Sequence, residues 1–349
     1  MRGVVFTGNK QLELVNFADP VPGPNEVVLE IKASGMCGSD LKFYRPPPGA
    51  AFAALGLRDS GEPIIAGHEP CGVVAAIGKE VDSRSVKIGD RVMVYHYAGC
   101  NFCNSCRTGW TQMCEKGAIV YGLSGHGGHA DYMKVPASTL VPLPEELSFS
   151  AGAAISCGTG TAYQALVRMD VSARDTVVVV GQGPVGQSAT QLAAAMGARV
   201  IAIDISPERA KRATEFGAAH SIDSSSTDPL EAVRTLTGGK GASRTMDTSG
   251  SSAGRLVAVR SAAAWGVVSF VGEGGDVTLN VSPDIMRKQL TIMGSWTFTG
   301  AGQADCARFI ATHGVDVDKL FTDKWKLDQA AEAYRVFDTQ SAGKAVFVA

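Results

Sequence analysis

The chain has 349 residues, of which 45% are hydrophobic and 19% charged, and its formal net charge at pH 7 is −2. These values describe an ordinary soluble globular protein, and the length suggests two domains. No basic block indicates nucleic-acid binding, and the apolar runs are far shorter than the roughly 20 residues of a membrane span. The opening "MRGVVFTG" predicts a strand rather than a secretory leader. We therefore expect a cytoplasmic protein without nucleic-acid or membrane partners.

The first 150 residues or so predict a β-rich half. Apolar runs there are short, often alternate with polar residues, and are separated by Gly, Pro and Asp turns. The clearest predicted strands are "EVVLEIKASG", "GHEPCGVVAAIG", "KIGDRVMVYH" and "HADYMKVP". A proline-punctuated loop over residues 43–63 separates two of them, and loops of that length often carry function.

Four cysteines lie close together within residues 99–114, at Cys100, Cys103, Cys106 and Cys114. A disulfide cluster is one explanation, but disulfide frameworks belong mostly to short secreted chains with a high density of cysteine. Four thiolates at this spacing can instead surround one tetrahedral Zn²⁺ at about 2.3 Å per sulfur and close its coordination shell. The spacing therefore predicts a structural zinc that holds a loop and performs no chemistry.

The hydrophobic period changes near residue 150. The segment "GAAISCGTGTAYQALVRM" has helical spacing, and buried strands then alternate with helices. The predicted strands are "TVVVVG", "RVIAID", "SRTMDTSG", "GVVSFVG" and "LTIMGSW", with a weaker one near His220. This βαβ succession predicts a doubly wound parallel sheet of the Rossmann type.

A glycine-rich turn between a strand and a helix predicts dinucleotide binding. In "VVVVGQGPVGQSATQL", Gly181 allows the tight turn, Gly183 lets backbone amides approach a pyrophosphate, and Gly186 permits close helix packing. Glycines that merely turn the chain are the alternative. The candidate cofactor-binding residues are Gly181, Gly183, Pro184, Val185, Gly186, Asp204, Arg209 and Val271.

Asp204 ends the strand "RVIAID" and favours NAD over NADP. Its carboxylate can accept hydrogen bonds from both adenosine ribose hydroxyls, whereas a 2′-phosphate would meet like charge. Arg209 argues the other way, since a guanidinium can bind a phosphate, but it can equally steady the ribose or a neighbouring carboxylate. The helix that follows Asp204 is expected to begin after Ser206, its N-cap, and to stop at Gly217.

Other residues able to bind a metal ion are Cys37 in "ASGMCGSDLKFY", the pair His68 and Glu69 in "AGHEPCG", and Cys157 in "AAISCGTGTAY". Two thiolates and one imidazole would make an open zinc site, with the fourth position left to water or substrate. Isolated cysteines are often small buried hydrophobic residues, and a single histidine is more often structural than metal-bound. The residues alone leave both interpretations open.

The whole chain resembles a zinc-dependent alcohol dehydrogenase of the medium-chain dehydrogenase/reductase family. "CGSD", "GHE", the four-cysteine stretch, "GGHADYMKVP", the glycine fingerprint and the closing "GKAVFVA" occur in the family's order. The resemblance implies a GroES-like β-rich catalytic domain over residues 1–158 and 295–349, and a Rossmann NAD-binding domain over 159–294. It places the active site in the cleft and implies a homo-oligomer, with a tetramer favoured over a dimer.

The resemblance also assigns roles. Cys37, His68 and Cys157 would bind a catalytic zinc, giving two Zn²⁺ per chain, and Glu69 would lie beside that metal. Asp40 would orient His68, and Ser39 would contact the substrate oxygen and begin a proton relay. Zinc would polarise an alcohol oxygen while the carbinol hydride passes to NAD.

Some positions depart from the family pattern. Lys42 stands where many members have the histidine that ends the relay, and a protonated lysine is a poor base, so a solvated lysine is favoured. His96 stands where relatives often project an aromatic side chain into the substrate pocket. Trp296 and Phe298 fall where the chain returns to the cleft, and packing beside nicotinamide or within the core is equally expected for them. His96 and Trp296 are the candidate substrate-pocket residues.

The expected reaction is hydride transfer between a primary or secondary alcohol and NAD, giving an aldehyde or ketone. A zinc-free reductase of the same superfamily should lack Cys37, His68 and Cys157 together, and this chain has all three. A noncatalytic NAD-binding or scaffold protein is the alternative from another class. A cysteine rather than a glutamate at position 157 leans weakly toward simple alcohols over sorbitol-type polyols.

Overall fold

The structure is a computed structural model that describes residues 1–51, 61–340 and 343–349. Residues 52–60 of the predicted 43–63 loop therefore lie outside the described residues. The chain divides into two compact units. The β unit comprises Met1–Cys157, Phe298–Thr312 and Asp316–Ala349, and the α/β unit comprises Gly158–Thr297 and His313–Val315. Domain boundaries near residues 158 and 295 are expected from the sequence.

The strands, in chain order, are β1 (Arg2–Gly8), β2 (Gln11–Asn16), β3 (Glu26–Gly35), β4 (Glu69–Ile77), β5 (Arg91–Val94), β6 (Tyr97–Ala98), β7 (Ile119–Val120), β8 (Tyr132–Pro136), β9 (Leu140–Pro142), β10 (Thr176–Val180), β11 (Arg199–Asp204), β12 (His220–Asp223), β13 (Ala242–Asp247), β14 (Ala262–Phe270), β15 (Thr291–Gly294), β16 (Phe321–Trp325) and β17 (Lys344–Val348).

The α-helices are α1 (Leu41–Tyr44), α2 (Asn104–Arg107), α3 (Phe149–Ile155), α4 (Gly158–Arg168), α5 (Pro184–Ala195), α6 (Pro207–Ala213), α7 (Pro229–Leu236), α8 (Ser252–Ser261), α9 (Gly300–His313) and α10 (Ala330–Phe337). None of the helices in the described part of the chain has the length and apolar character needed to span a bilayer.

The main sheet of the β unit has seven strands in the order β16-β17-β3-β4-β5-β9, and β8 also pairs with β3. Its strands pair antiparallel except for β16 and β17. Alternate residues of β3 project into one hydrophobic core, among them Val27, Leu29 and Ile31, because successive side chains of a strand point to opposite faces. This core fixes β3 and β4, the two strands that lead into the candidate metal centre.

The α/β unit contains a six-stranded parallel sheet in the order β12-β11-β10-β13-β14-β15. Its first strand, β10, is central and almost fully buried, as the apolar run "TVVVV" predicts. The strand order reverses beside β10, and this reversal opens a crevice at the carboxyl ends of the strands. Gly181 directly follows β10, so the glycine-rich turn lies at that crevice.

The segment "GAAISCGTGTAYQALVRM" forms parts of two helices rather than one, because α3 ends at Ile155 and α4 begins at Gly158. The amide of Cys157 bonds the carbonyl of Ala154 at 3.3 Å, an i−3 bond that tightens the last turn. The Ser156 hydroxyl bonds the Gly152 carbonyl at 2.9 Å. The interruption leaves Cys157 at a helix junction.

The predicted start and stop of the helix after Asp204 are confirmed. Helix α6 begins at Pro207, and the Ser206 hydroxyl accepts a hydrogen bond from the amide of Arg209. A short 3₁₀ turn continues the helix to Gly217, whose φ of 91° lies in the left-handed region that favours glycine.

Candidate metal centre and cofactor site

The β3–β4 ladder brings Cys37 and His68 to the same place. Gly35, the last residue of β3, pairs with Glu69, the first residue of β4. Cys37 lies two residues beyond the end of β3, and His68 directly precedes β4. Because the two strands are antiparallel, both residues lie at the same end of the ladder, although they are 31 positions apart along the chain.

Helix α3 brings Cys157 to this end of the sheet. The Ser148 hydroxyl caps the helix by accepting a bond from the amide of Ala151. At the other end the Ser156 hydroxyl donates to the carbonyl of Pro70 in β4 at 3.1 Å. The last turn of the helix is thereby tied to β4 one residue beyond Glu69, and Cys157 follows at once.

The four gathered side chains can hold a metal ion. Cys37, His68, Glu69 and Cys157 each offer a ligand atom, and these atoms all lie within 4.8 Å of one another. The sulfurs of Cys37 and Cys157 are 4.0 Å apart. Two sulfurs at about 2.3 Å from a tetrahedral zinc would be about 3.8 Å apart, so the observed separation fits zinc and excludes a disulfide.

Asp40 and Ser39 surround the imidazole of His68. Asp40 Oδ1 lies 2.9 Å from Nδ1 of His68, and Asp40 Oδ2 accepts the amide of Cys37 at 2.8 Å. The half-buried Ser39 hydroxyl lies 3.2 Å from both the Cys37 sulfur and His68 Nε2. The carboxylate thus turns Nε2 of His68 toward the thiols, and the serine oxygen lies among the ligand atoms.

Glu69 forms a fully buried ion pair with Lys344, a residue that the sequence analysis did not single out. Burial raises the pKa of Glu69 to about 8, against the opposing charge of Lys344. Lys344 Nζ also donates to the carbonyl of Met36 at 3.2 Å. The second carboxylate oxygen, Oε1, is buried without a hydrogen-bond partner among the described residues. A carboxylate oxygen in that position is compatible with a neighbouring cation.

Two further observations concern the electrostatics of the centre. The hydrogen bond from the Cys157 thiol lowers the pKa of Cys37 well below its usual value, with a further contribution from the charge of His68. Thiolate is the form that binds metal. Burial lowers the pKa of His96 to about 3, so this imidazole is neutral near pH 7.

His96 lies beside the metal centre. Its ring centroid is 5.2 Å from that of His68, and its Nδ1 lies 2.9 Å from the carbonyl oxygen of Ser156. Because that carbonyl can only accept, Nδ1 carries the proton and Nε2 is an acceptor. His96 is buried and packs edge-on against Phe298.

The second cysteine group forms a separate lobe around α2. The sulfurs of Cys100, Cys103, Cys106 and Cys114 all lie within 4.8 Å of one another. The pair Cys103 and Cys114 is 4.0 Å apart, again close to the separation expected around tetrahedral zinc. Backbone amides of Phe102 and Cys103 lower the pKa of Cys100 to about 6. Four sulfur donors are the ligand set that a closed, structural zinc site uses.

The glycine fingerprint has the geometry of a phosphate-binding turn. Gly181 has a φ of 91°, and a Cβ on Gly186 would collide with the carbonyl oxygen of Gly181. A Cβ on Gly183 would instead meet nothing within 4 Å. The backbone of Gly183 is therefore open to a ligand at the start of α5, whose first residues are Pro184 and Val185.

Asp204 is almost fully buried and is already bonded within the chain. Its oxygens accept the amide of Gln182 at 2.5 Å and that of Ser206 at 2.7 Å. Arg209 contacts it through Nε and Nη2, both at 3.2 Å. In this structure Arg209 therefore contacts the neighbouring carboxylate, which was one of the three roles that the sequence left open.

The other predicted site residues lie as follows. Val271 follows β14, and its amide donates to the carbonyl of Asp247 at 2.9 Å. Lys42 is exposed on α1. Trp296 is 45% exposed and donates from its indole nitrogen to Glu273 at 2.8 Å, so the expectation of core packing is wrong for it. Phe298 is fully buried, as core packing requires.

His129 and Tyr334 extend the environment of Asp40 and were not predicted as site residues. The Tyr334 hydroxyl donates to Asp40 Oδ2 at 3.2 Å and lies 2.8 Å from His129 Nε2. His129 belongs to the motif "GGHADYMKVP", but neither this motif nor the segment containing Tyr334 carries a ligand spacing that would reveal the contact. Hydrogen bonds between residues 294 positions apart are set by the fold.

Known proteins resemble the chain over its full length. Residues 23–145 match the model for an alcohol dehydrogenase GroES-like domain, and residues 184–312 match that for a zinc-binding dehydrogenase. The uncharacterized zinc-type alcohol dehydrogenase-like protein YphC of Escherichia coli (strain K12) is 40% identical over 349 residues, covering 99% of this chain and 98% of that protein.

A sorbitol dehydrogenase of Bacillus subtilis (strain 168) is 29% identical, covering 95% of this chain and 92% of that protein. Among solved structures, an alcohol dehydrogenase from Thermus sp. ATN1 has a TM-score of 0.88 and 27% identity, covering 100% of this chain and 99% of that one. The family models, the relatives and the fold agree with the ligand geometry above: the chain belongs to the zinc-type alcohol dehydrogenases of the medium-chain dehydrogenase/reductase family.

Proposed function

We propose that the protein is a zinc-dependent, NAD-linked dehydrogenase that interconverts a primary or secondary alcohol with its aldehyde or ketone. One observation carries the proposal: two thiols and an imidazole form an open ligand set, with the hydroxyl of Ser39 3.2 Å from two of the ligand atoms. A three-ligand zinc site with an open position serves catalysis, whereas a four-cysteine site does not.

Cys37, His68 and Cys157 would hold the catalytic zinc, and the cysteines of the α2 lobe would hold a second, structural one. When bound at the open site, zinc acts as a Lewis acid that polarises the substrate oxygen. Asp40 Oδ1 lies 2.9 Å from Nδ1 of His68, a contact that orients the ring so that Nε2 faces the metal position. Glu69, in contact with Lys344, places a carboxyl group beside the ligands.

Ser39 is the residue best placed to handle the substrate proton. Its oxygen lies among the ligand atoms, and a hydroxyl can accept one proton while donating its own. Lys42 lies two residues before the end of α1 and is exposed. Lys42 is not among the residues whose ligand atoms gather at the centre, so the role proposed for Ser39 does not extend to it.

NAD is the proposed hydride carrier. Gly183 leaves its backbone open at the start of α5, where the amides of a helix N-terminus favour a pyrophosphate. Asp204 lies at the end of β11 with its carboxylate fixed by two backbone amides. A fixed negative charge beside the adenosine ribose disfavours the 2′-phosphate of NADP.

The substrate class is the finer part of the proposal. Cys157 supplies sulfur where sorbitol-type enzymes place a glutamate, and this favours simple alcohols. The buried His96, close to His68, instead offers an imidazole acceptor that would suit a substrate with a second hydroxyl. A relative named sorbitol dehydrogenase makes polyols the second candidate class.

A panel of aliphatic, aromatic and polyhydroxy alcohols tests the proposal, with NADH formation followed by absorbance. We expect turnover of at least one class, and loss of that turnover in His68→Ala. A protein that contains zinc and binds NADH but oxidises no alcohol, and reduces no aldehyde or ketone, would instead support the noncatalytic alternative.

A further inference from the structure

A buried row of polar side chains, here called the polar row, runs from the metal-site histidine into the core of the β unit. Beyond the contact of His68 with Asp40, the Tyr334 hydroxyl lies 3.2 Å from Asp40 Oδ2. His129 Nε2 lies 2.8 Å from that hydroxyl, and Ser34 Oγ lies 2.7 Å from His129 Nδ1. All five residues are buried. Nothing in the reaction chemistry requires Ser34, His129 or Tyr334.

In the polar row, the donor and the acceptor of each hydrogen bond can be assigned. Burial lowers the pKa of His129 to about 4, so near pH 7 its ring carries a single N–H. Because Tyr334 donates its proton to Asp40, its oxygen must accept from His129 Nε2. His129 Nδ1 then accepts the hydroxyl proton of Ser34. Every donor points toward Asp40, whose Oδ1 lies 2.9 Å from Nδ1 of His68.

Tyr334 and His129, the middle residues of the polar row, are closely packed. The fully buried ring of Tyr334 packs edge-on against Phe6, with ring centroids 4.9 Å apart, and lies 5.3 Å from the ring of Tyr44. His129 packs on the backbone that carries the ligand, because a Cβ on Gly67 would collide with its ring. The amide of His129 also donates to the carbonyl of Ala66 at 2.9 Å. Tyr334 thus supports the Asp40 carboxylate, and its partner His129 supports the backbone just before His68.

We propose that Tyr334 and His129 are positioning residues for His68, which fix the Asp40 carboxylate and thereby the orientation of the metal-binding imidazole. The inference rests on the proposed metal centre. Neither residue touches substrate or cofactor in this role. Outer partners of metal ligands commonly change metal affinity by about 10–100-fold when they are removed.

Release of zinc to a chelator, followed over time in the full-length protein, tests this inference. Tyr334→Phe removes the donor and keeps the ring, and Tyr44→Phe is the matched control, since its ring belongs to the same cluster. Asp40→Asn serves as the reference for a lost carboxylate. We expect Tyr334→Phe to release one of the two zinc ions roughly tenfold faster than the unmodified protein and Tyr44→Phe, while the four-cysteine zinc is released at an unchanged rate.

Ser34→Ala provides a second variant, at the end of the polar row furthest from His68. We expect it to accelerate zinc release as well, but by a smaller factor. Cobalt in place of zinc adds a spectroscopic signature, and its absorption bands should shift in Tyr334→Phe but not in Tyr44→Phe. Equal release rates and equal cobalt spectra in Tyr334→Phe and Tyr44→Phe would overturn the inference while leaving the proposed function intact. An unmodified protein that binds zinc only at the four cysteines would overturn the proposed function itself.

Discussion

Ser39 and Lys42 show how single positions divide the proposed proton chemistry. The Ser39 hydroxyl lies among the ligand atoms, whereas Lys42 is exposed on the outer face of a short helix. We expect Lys42→Ala to change kcat/KM by less than about tenfold, and Ser39→Ala to lower it far more. Initial rates of NADH formation at one fixed pH measure both. A collapse of turnover in Lys42→Ala with unchanged NAD affinity would show that the lysine takes part in the relay.

Asp204 carries the proposed preference for NAD. Repulsion of the 2′-phosphate and lost ribose hydrogen bonds should disfavour NADP by at least about 2–3 kcal/mol, on the order of a hundredfold in kcat/KM. In Asp204→Gly the preference for NAD over NADP should become smaller. Arg209 would lose its carboxylate partner and become available to the 2′-phosphate of NADP.

That substitution also removes the acceptor of two backbone amides, so a lower melting temperature is expected. The quantity to compare between variants is therefore the ratio of kcat/KM for NAD to kcat/KM for NADP, measured within each variant. Comparable kcat/KM for NAD and NADP in the unmodified protein would refute the assignment.

At this scale, the family resemblance carried by short motifs predicted the thiol and imidazole ligands, but it did not predict which residues support them. Cys37, His68 and Cys157 stand in recognisable short motifs, and the structure gathers them. Lys344 and Tyr334 approach the centre from the last part of the chain, and their contacts depend on the packing of β17 and α10. Local pattern carries no information about such pairings.

Two glycines at the start of α5 have separable roles. A Cβ on Gly186 would meet a backbone carbonyl, so Gly186→Ala should lower the melting temperature. A Cβ on Gly183 meets open space, so Gly183→Ala should leave the melting temperature nearly unchanged but raise the KM for NAD by about tenfold or more. Thermal unfolding and cofactor titration of both variants check this. A Gly183→Ala protein with unchanged NAD affinity would contradict the placement of the pyrophosphate.

The lobe around α2 should depend on its metal. Cys103→Ser removes one of four ligands from a closed shell, so loss of that zinc and a lower melting temperature are expected, because metal binding there contributes to folding. Ser105→Ala, within the same short helix, is the matched control and should keep both. Elemental analysis and thermal unfolding measure the effect. A Cys103→Ser protein with unchanged zinc content and melting temperature would argue against a structural metal.

Periodicity predicted most elements, and the exceptions have local causes. The strands β3, β4, β10 and β11 coincide with the predicted apolar runs to within a few residues. The segment around Cys157 has helical spacing throughout, yet the first helix ends at Ile155, where the Ser156 hydroxyl bonds backbone carbonyls. Hydroxyl groups that bond backbone carbonyls compete with helix continuation, and the hydrophobic pattern does not register them.

Across the whole molecule, the fold class predicted from the sequence is confirmed by the family models and by solved relatives. The Rossmann strand order follows from the βαβ succession. The return of the chain to the β unit after the α/β unit does not follow from any periodicity, and only the family resemblance predicted it. The homo-oligomeric state remains a prediction.

The central claim is that Cys37, His68 and Cys157 hold a zinc that is required for alcohol oxidation. Zinc per chain, measured by elemental analysis of purified His68→Ala beside the unmodified protein, tests it most directly. We predict two zinc ions in the unmodified protein and one in His68→Ala, with the melting temperature largely retained and NADH formation lost. A His68→Ala protein that keeps two zinc ions and still oxidises alcohols would contradict the claim.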